Sequence, residues 1–280
     1  MDIQQTIKEA IKQLNENEIK DSRNIAITLM QYLLQCSRQQ VLFKEEELRK
    51  EKEEQYQKMI QKIIEGTPLQ YITNYQEFMK LPFYVNEHVL IPQPDTEVLV
   101  EEVIKRVGKE EGLTILDIGT GSGAIAISLA TYLKSQLEMI IGSDISEDAL
   151  QVAKENARKN NVEIDFIKSD MWENIPKVLF DVIVSNPPYI ASKVIPTLEV
   201  QVQKEPILAL SGGKDGLLFY KRILKEAFLY MRPNGYLCLE IGYDQKESVI
   251  EIAKQQKQYD QIEAIQDLSG NDRCIIMKRR

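Results

Sequence analysis

Asn186-Pro187-Pro188-Tyr189 carries the most specific chemistry in this 280-residue chain. The pattern around it predicts a strand over 180–186, which puts the tetrapeptide at a strand's C-terminal end, where open α/β sheets bind ligands. Two consecutive prolines fix the backbone and remove two N–H donors. What remains is a stiff ledge of carbonyl acceptors, one side-chain amide and one ring. That set suits a planar NH2 group: the Asn186 oxygen and the Pro187 carbonyl each accept one hydrogen, while Tyr189 packs on the π face. A proline stop after a strand, with a core tyrosine, is the plain structural alternative.

A planar amide or aryl amine is a poor nucleophile because its lone pair is delocalised. The same resonance gives the peptide bond a rotation barrier of about 18–20 kcal/mol. A methyl sulfonium, by contrast, needs no acid to help its neutral leaving group depart. The task is then to hold the nitrogen in line with the methyl and turn its lone pair toward carbon. Positioning and dipoles do this without a titrating base.

Leu116-Asp117-Ile118-Gly119-Thr120-Gly121-Ser122-Gly123-Ala124 joins a predicted strand (114–118) to a predicted helix (124–133). Glycines there let the backbone approach a nucleotide-like ligand in the first crossover turn. Asp144 ends the next predicted strand (138–144), where a carboxylate can accept both ribose hydroxyls. Gly119-x-Gly121-x-x-Ala124 also satisfies the relaxed dinucleotide pattern, so NAD is a rival ligand. The tetrapeptide, which has no use in hydride transfer, weighs against it.

Other chemistries are excluded by what the chain lacks. It has one histidine, His88, and three cysteines, Cys36, Cys238 and Cys274. No Cys-x-x-Cys or His-x-x-x-His spacing is present, so no zinc or other metal site is expected. Lys+Arg 35 against Asp+Glu 43 gives −8, which argues against affinity for a phosphate backbone and so against direct nucleic-acid binding. Sparse cysteines, a polar amphipathic N-terminus and no long apolar run lead us to expect a cytoplasmic protein without membrane attachment.

Elements able to position these residues follow from periodicity. Ile3, Ile7, Ile11 and Leu14, then Ile25, Leu29 and Leu33, predict helices, and a charged helical run covers 44–65. Residues 69–92 change to β-branched and aromatic composition with Pro82 and Pro92, which predicts short strands or a hairpin rather than a helix. Beyond residue 95 strands and helices alternate. Asp95 or Thr96 is the expected cap of a helix carrying Leu99, Val103 and Val107, and Ser146 that of a later one. Strands are predicted over 163–170, 180–186 and 236–242, with a helix over 215–231, a turn at 232–235 and weak strands near 261–266 and 273–278. Alternation means a doubly wound, mostly parallel sheet.

Taken together these pieces resemble the release-factor glutamine N5-methyltransferases, the PrmC/HemK family, over nearly the whole chain. Besides GTGSGA and NPPYI, the matching stretches are PLQYI (68–72), FYVNEHVLIPQPDTE (83–97), EPILALSGGKDGLLFY (205–220) and EIGYDQ (240–245). The resemblance implies an α/β fold: a class I (Rossmann-like) methyltransferase domain over 95–280, a helical substrate-recognition domain over 1–75 and a β-hairpin connector over 76–94. It implies S-adenosylmethionine as donor, S-adenosylhomocysteine as product, and the glutamine of the Gly-Gly-Gln loop of peptide-chain release factors as acceptor. Carried over by motif, Gly119, Thr120, Gly121, Ser122 and Gly123 hold the methionine part and Asp144 the ribose. Asp170, Met171 and Trp172 border the adenine, Asn186 touches both ligands, and Asn186, Pro187, Pro188 and Tyr189 hold the glutamine, with Asn186, Pro187 and Tyr189 acting in catalysis. The chain departs from the family's I-P-R-P-E-T-E run at Gln93 and Asp95, which puts in doubt any anion contact of that arginine.

Rival readings are an amino-group methyltransferase acting on nucleic acid and a binding module that keeps only the nucleotide pocket. His88 is expected to pack or face solvent, Cys238 and Cys274 to be buried hydrophobes, and Glu205 and Asp215 to order a loop beside the acceptor site.

Overall fold

The isoleucines at the start of the chain share one face of α1 (Ile3–Glu16), which buries Ile3, Ile7 and Leu14 while the Asp2 carboxylate accepts from the Gln5 N–H at 2.6 Å. α2 (Ser22–Leu34) buries Ile25 and Leu29, α3 (Arg38–Phe43) buries Val41, and α4 (Lys50–Ile64) buries Tyr56, Ile60 and Ile63. The Tyr56 hydroxyl donates to the Ala26 carbonyl at 2.8 Å, so this large ring is buried with its polar atom partnered. The structure, a computed structural model, describes residues 2–43 and 46–280. The charged run expected to be helical over 44–65 is helical from Lys50; Lys44 and Glu45 lie outside the described residues.

α5 (Leu69–Thr73) corrects the expectation of a wholly extended 69–92. Leu69 and Ile72 pack against the helical core, and the Tyr71 and Ile72 N–H groups donate to the Pro68 carbonyl. Tertiary burial overrides the β-branched composition over this one turn. The chain divides into two compact units, Met1–Asn74 with Glu199–Lys204, and Tyr75–Leu198 with Glu205–Arg280. The sequence reading drew its boundaries at 75 and 94; the structure groups the hairpin with the second unit and residues 199–204 with the first.

The second unit starts with the hairpin of β1 (Gln76–Phe78) and β2 (Leu81–Phe83), whose turn residues Met79 and Lys80 both take positive φ. α6 (Pro94–Val107) follows. Neither Asp95 nor Thr96 caps it: Pro94 occupies its first turn, Gln93 its N-cap, and the Asp95 carboxylate pairs with Arg273 at 2.9 Å. Then come β3 (Leu113–Ile118), α7 (Ala124–Tyr132), β4 (Leu137–Asp144), α8 (Glu147–Lys159), β5 (Asp165–Lys168) and β6 (Phe180–Ser185). Ser146 does cap α8, accepting from Ala149 N–H at 3.2 Å. After β6 the chain forms the short helices α9 (Val200–Gln203) and α10 (Ile207–Leu210), then α11 (Leu218–Glu226), β7 (Met231–Glu240), α12 (Lys246–Gln256), β8 (Tyr259–Gln266) and β9 (Asp272–Arg279).

The sheet runs β5-β4-β3-β6-β7-β9-β8. Its β5-to-β7 part is parallel, and β9 enters antiparallel between β7 and β8. The expected turn at 232–235 appears as a bulge inside β7, where pairing with β6 jumps from Phe180↔Met231 to Val182↔Tyr236. β3 is buried along its whole length, as a central parallel strand requires. From β3 the chain winds outward through β4 and β5, then returns to β6 on the other side. That reversal leaves a crevice at the C-terminal strand ends, between the loops after β3 and β6. No helix among the described residues is long and apolar enough to cross a membrane.

Candidate active site

A pocket occupies this crevice, entirely within the second unit. Its floor is the glycine loop. The Gly119 and Thr120 N–H groups both donate to the Ser143 carbonyl at 2.8 Å, which folds the loop over the end of β4. Gly119 and Gly121 sit at φ +72° and +55°, and a Cβ on either would meet open space. Gly119, Thr120, Gly121 and Ser122 line the pocket; Gly123 does not. A Cβ on Gly123 would lie 2.8 Å from Ile127 and 3.3 Å from Ala153 Cβ, so this glycine instead lets α7 approach α8.

Asp144 lines the pocket. One carboxylate oxygen accepts from Gly121 N–H and the other from Ser146 N–H, each at 2.9 Å. These bonds aim the group and leave lone pairs on both oxygens. Burial raises its pKa, opposed by those N–H donors. Behind the loop, burial pushes Asp117 up to about 7 although its Oδ2 accepts from the Thr120 hydroxyl at 2.7 Å.

Asp170 and Met171 also line the pocket, with Asp170 paired to Arg222 at 2.7 Å. Trp172 corrects the sequence reading. Its ring stacks on Tyr230, centroids 4.8 Å apart, its indole N–H donates to the Arg222 carbonyl, and it belongs to the sheet's apolar core.

The tetrapeptide forms the opposite wall. Asn186, Pro187 and Pro188 line the pocket, whereas Tyr189 does not. Tyr189 packs against the core, and its hydroxyl points at Glu240 Oε1, 3.5 Å away. Burial in that setting raises its pKa. The ring contact expected from Tyr189 on the acceptor is therefore absent from this arrangement. Asn186 Nδ2 donates to the Thr96 hydroxyl at 3.1 Å.

The loop 205–217 makes the tetrapeptide rigid. Ile190 N–H donates to the Leu210 carbonyl and Gly212 N–H to the Ile190 carbonyl, a strand-like pairing. Cβ atoms on Gly212 and Gly216 would lie 2.8 Å from the Pro188 oxygen and 2.4 Å from the Tyr189 oxygen, so only glycine allows this approach. Glu205 and Asp215 order the loop as expected: Glu205 accepts from Ile91 N–H at 2.9 Å, and Asp215 from Leu217 N–H while pairing with Lys221. Burial raises Glu205 to about 7.

Residues 78–93 supply a wall that sequence reasoning missed, with Phe78, Val89, Leu90 and Pro92 turned to the pocket. Gln93, one of the two departures, lines it too and donates to the Ile91 carbonyl. His88 sits at the pocket wall, half exposed, with Nδ1 4.0 Å from Asp148. Asn156 of α8 ties this stretch to the glycine loop: its side chain donates to the Tyr84 and Ser122 carbonyls and accepts from Tyr84 N–H. An asparagine at the apolar-face spacing of this helix, in step with Ala149 and Ala153, was the available signal. Cys238 and Cys274 are buried, with pKa values raised by desolvation, and take no part.

The pocket thus pairs a nucleotide-type floor with a ledge of amide acceptors, and its apolar lining strengthens both. Residues 109–260 match the family described as a methyltransferase domain, and residues 5–73 the family described as the PrmC N-terminal domain. The release factor glutamine methyltransferase of Moorella thermoacetica is 40% identical, across 100% of this chain and 99% of that one. The protein of the same name from Bacillus cereus is 36% identical over 98% of each. A solved methyltransferase from Pyrococcus furiosus, 20% identical, superposes with a TM-score of 0.54 over 72% of this chain and 90% of that one, which shows the fold alone.

Proposed function

The chain belongs to the release factor glutamine methyltransferase family, and from that premise we propose that its pocket moves a methyl group from S-adenosylmethionine to a glutamine side-chain nitrogen in the Gly-Gly-Gln loop of a peptide-chain release factor. One observation carries the reading: Asp144 and the glycine loop face the same pocket as Asn186 and Pro187. A nucleoside donor and an amide acceptor then meet in one crevice.

The residues present fit the donor. Asp144 retains acceptor capacity for ribose hydroxyls, and Gly119 and Gly121 leave the space beside them open. When bound, that group supplies an activated methyl on a sulfonium and leaves as neutral S-adenosylhomocysteine. Asp144, already held by two N–H donors, orients the ribose without reorganising. Met171 and Ile145 line the pocket and supply apolar surface for the base.

At the acceptor, Asn186 Oδ1 and the Pro187 carbonyl each take one amide hydrogen. Their pull withdraws the N–H bonds from the carbonyl plane and exposes the lone pair along the line to the methyl. The amide proton is lost after transfer, when the alkylated nitrogen is far more acidic. Tyr189 acts from behind the ledge rather than on the acceptor's face. Release factors work on cytoplasmic ribosomes, so the reading assigns the enzyme to the cytoplasm. The helical unit supplies recognition area that one glutamine side chain lacks.

The test is direct. Purified full-length chain, labelled S-adenosylmethionine and an intact release factor should give one methyl, located by mass spectrometry on the Gly-Gly-Gln glutamine. Label on nucleic acid, or on another residue type, overturns the reading.

A further inference from the structure

We propose that Ile207 and Leu208 form an apolar lip at the pocket mouth, which packs on the release factor's loop beside its glutamine and keeps water from the reacting amide. The inference rests on the reading of Asn186 and Pro187 as the acceptor clamp. It extends that reading to the chain on either side of the glutamine.

The four residues of α10, Ile207 to Leu210, divide sharply in burial. Leu210 is 4% exposed, whereas Ile207 and Leu208 are 65% and 69% exposed. Leucine and isoleucine are among the residue types most often buried, and one standing alone in water needs no explanation. Here two stand side by side, and Leu208 also lines the pocket together with Pro206 and Ala209. Ile207, exposed but off the lining, continues the apolar surface beyond the mouth.

The lip is held rigidly. Ala209 N–H donates to the Pro206 carbonyl at 2.8 Å and Ser211 N–H to the Ile207 carbonyl at 2.9 Å, which closes the turn. Ile190 N–H reaches the Leu210 carbonyl at 3.0 Å and ties that turn to the tetrapeptide. Just before α10, Glu205 accepts from Ile91 N–H at 2.9 Å. Apolar side chains on a fixed backbone lose less freedom on binding than those on a mobile loop.

The sheet order decides which ligand the lip meets. In β5-β4-β3-β6-β7, Asp144 and Ile145 lie at the end of β4 on one side of β3, and the tetrapeptide follows β6 on the other. α10 is bonded to the tetrapeptide, so the lip flanks the acceptor rather than the nucleoside. The acceptor's own sequence supplies the complementary reason. Two glycines precede the glutamine, so that side of the amide brings no apolar cover of its own. Water reaching Asn186 Oδ1 or the Pro187 carbonyl would compete for the amide hydrogens. Apolar neighbours that exclude it strengthen those bonds. A backbone without side chains also lets two branched residues approach closely.

The test measures kcat/KM of the full-length chain on a short Gly-Gly-Gln peptide and on an intact release factor. The variants are Leu208→Ser, Ile207→Ser, both together, Leu208→Met and Asn186→Ala. The double variant should lose about tenfold on both substrates and each serine variant about threefold. S-adenosylmethionine affinity by calorimetry and the thermal midpoint should hold, since most of both side chains already lies in water. Leu208→Met, which keeps the apolar area, should stay within about twofold of the parent. A double variant at the parental rate while Asn186→Ala is slow overturns the lip alone. So does Leu208→Met as slow as Leu208→Ser, or a loss on the intact factor without one on the peptide. Donor affinity falling as far as kcat/KM assigns the two residues to the nucleoside and overturns the lip as well. Asn186→Ala at the parental rate removes the clamp reading, and the lip with it.

Discussion

The side-chain amide of Gln245 donates to the Tyr189 carbonyl at 3.0 Å, from the turn after β7 to the last residue of the tetrapeptide. The same amide reaches the Gly216 carbonyl at 3.3 Å, while its oxygen accepts from Gly242 N–H and the Tyr220 hydroxyl. One residue therefore joins the tetrapeptide, the glycine-rich loop and the core of α11. Prolines at 187 and 188 remove N–H groups that would otherwise anchor this ledge to a neighbour, and Gln245 replaces that anchoring through a carbonyl. Gln245→Ala would leave the Tyr189 carbonyl without this donor. We expect a loss of about 1–3 kcal/mol of stability and a larger fractional loss in kcat than in donor affinity. Urea unfolding and calorimetry on the same variant separate the two; donor affinity falling as far as kcat would mean that the ledge is not the part disturbed.

Asp144 tests the donor. Its carboxylate accepts from two backbone N–H groups and keeps lone pairs for the ligand, so Asp144→Ala removes a charge-assisted partner and slackens the loop at Gly121. S-adenosylmethionine binding should weaken by about 1.5–3 kcal/mol for one such contact. Asp144→Asn, which keeps one acceptor, should fall between parent and alanine. Isothermal calorimetry decides, and tight NAD binding without S-adenosylmethionine binding would sink the assignment.

Glu205 sets a pH dependence of stability. Burial raises it to about 7, against the pull of Ile91 N–H, and Asp117 and Glu240 are raised alike. The sign follows from proton counting. Above about 4.5 an unfolded glutamate has released its proton while the folded chain still holds it, so stability is full at low pH and declines as pH rises through about 7. Glu205→Gln keeps an oxygen for Ile91 and cannot ionise. Its thermal midpoint should exceed the parent's by roughly 2–4 °C above about pH 7.5 and converge with it near about pH 5. A variant equally destabilised at every pH would show that Glu205 is needed charged.

What the sequence made legible were features confined to short spans. The glycine loop, the tetrapeptide and the alternating elements each depend on neighbours within a few residues, and each pointed to the crevice between β3 and β6. What it concealed was set by distant partners. Trp172 sits beside Asp170 in sequence, yet stacking on Tyr230 turns it into the core. Tyr189 belongs to the motif, yet Glu240, fifty-one residues later, draws its hydroxyl away from the pocket. Thr96 lies ninety residues before Asn186, and only the folded sheet brings α6 behind the tetrapeptide. Gly123 shares the loop's composition but spends its missing side chain on the α7–α8 contact. Motif type reads from local spacing; the role of each member depends on which strand ends lie beside it.

The proposal that the helical unit recognises the release factor makes a prediction about selectivity. A stable protein interface buries about 1,200–2,000 Å² in total, far more than one glutamine side chain offers. Aromatic side chains supply much of the energy at such surfaces. Phe43, at the end of α3, is 83% exposed, an unusual state for a phenylalanine side chain. If this unit docks the release factor through that ring, Phe43→Ser should lower kcat/KM on the intact protein about tenfold, the effect of losing roughly 1.4 kcal/mol. It should leave the slower rate on a short Gly-Gly-Gln peptide unchanged, because the peptide reaches only the pocket. Folding is checked by an unaltered thermal midpoint, since little burial is lost with an exposed ring. Steady-state rates on both substrates carry the decision. Equal losses on peptide and protein would trace the effect to the catalytic unit, and no loss on either would remove Phe43 from the docking surface.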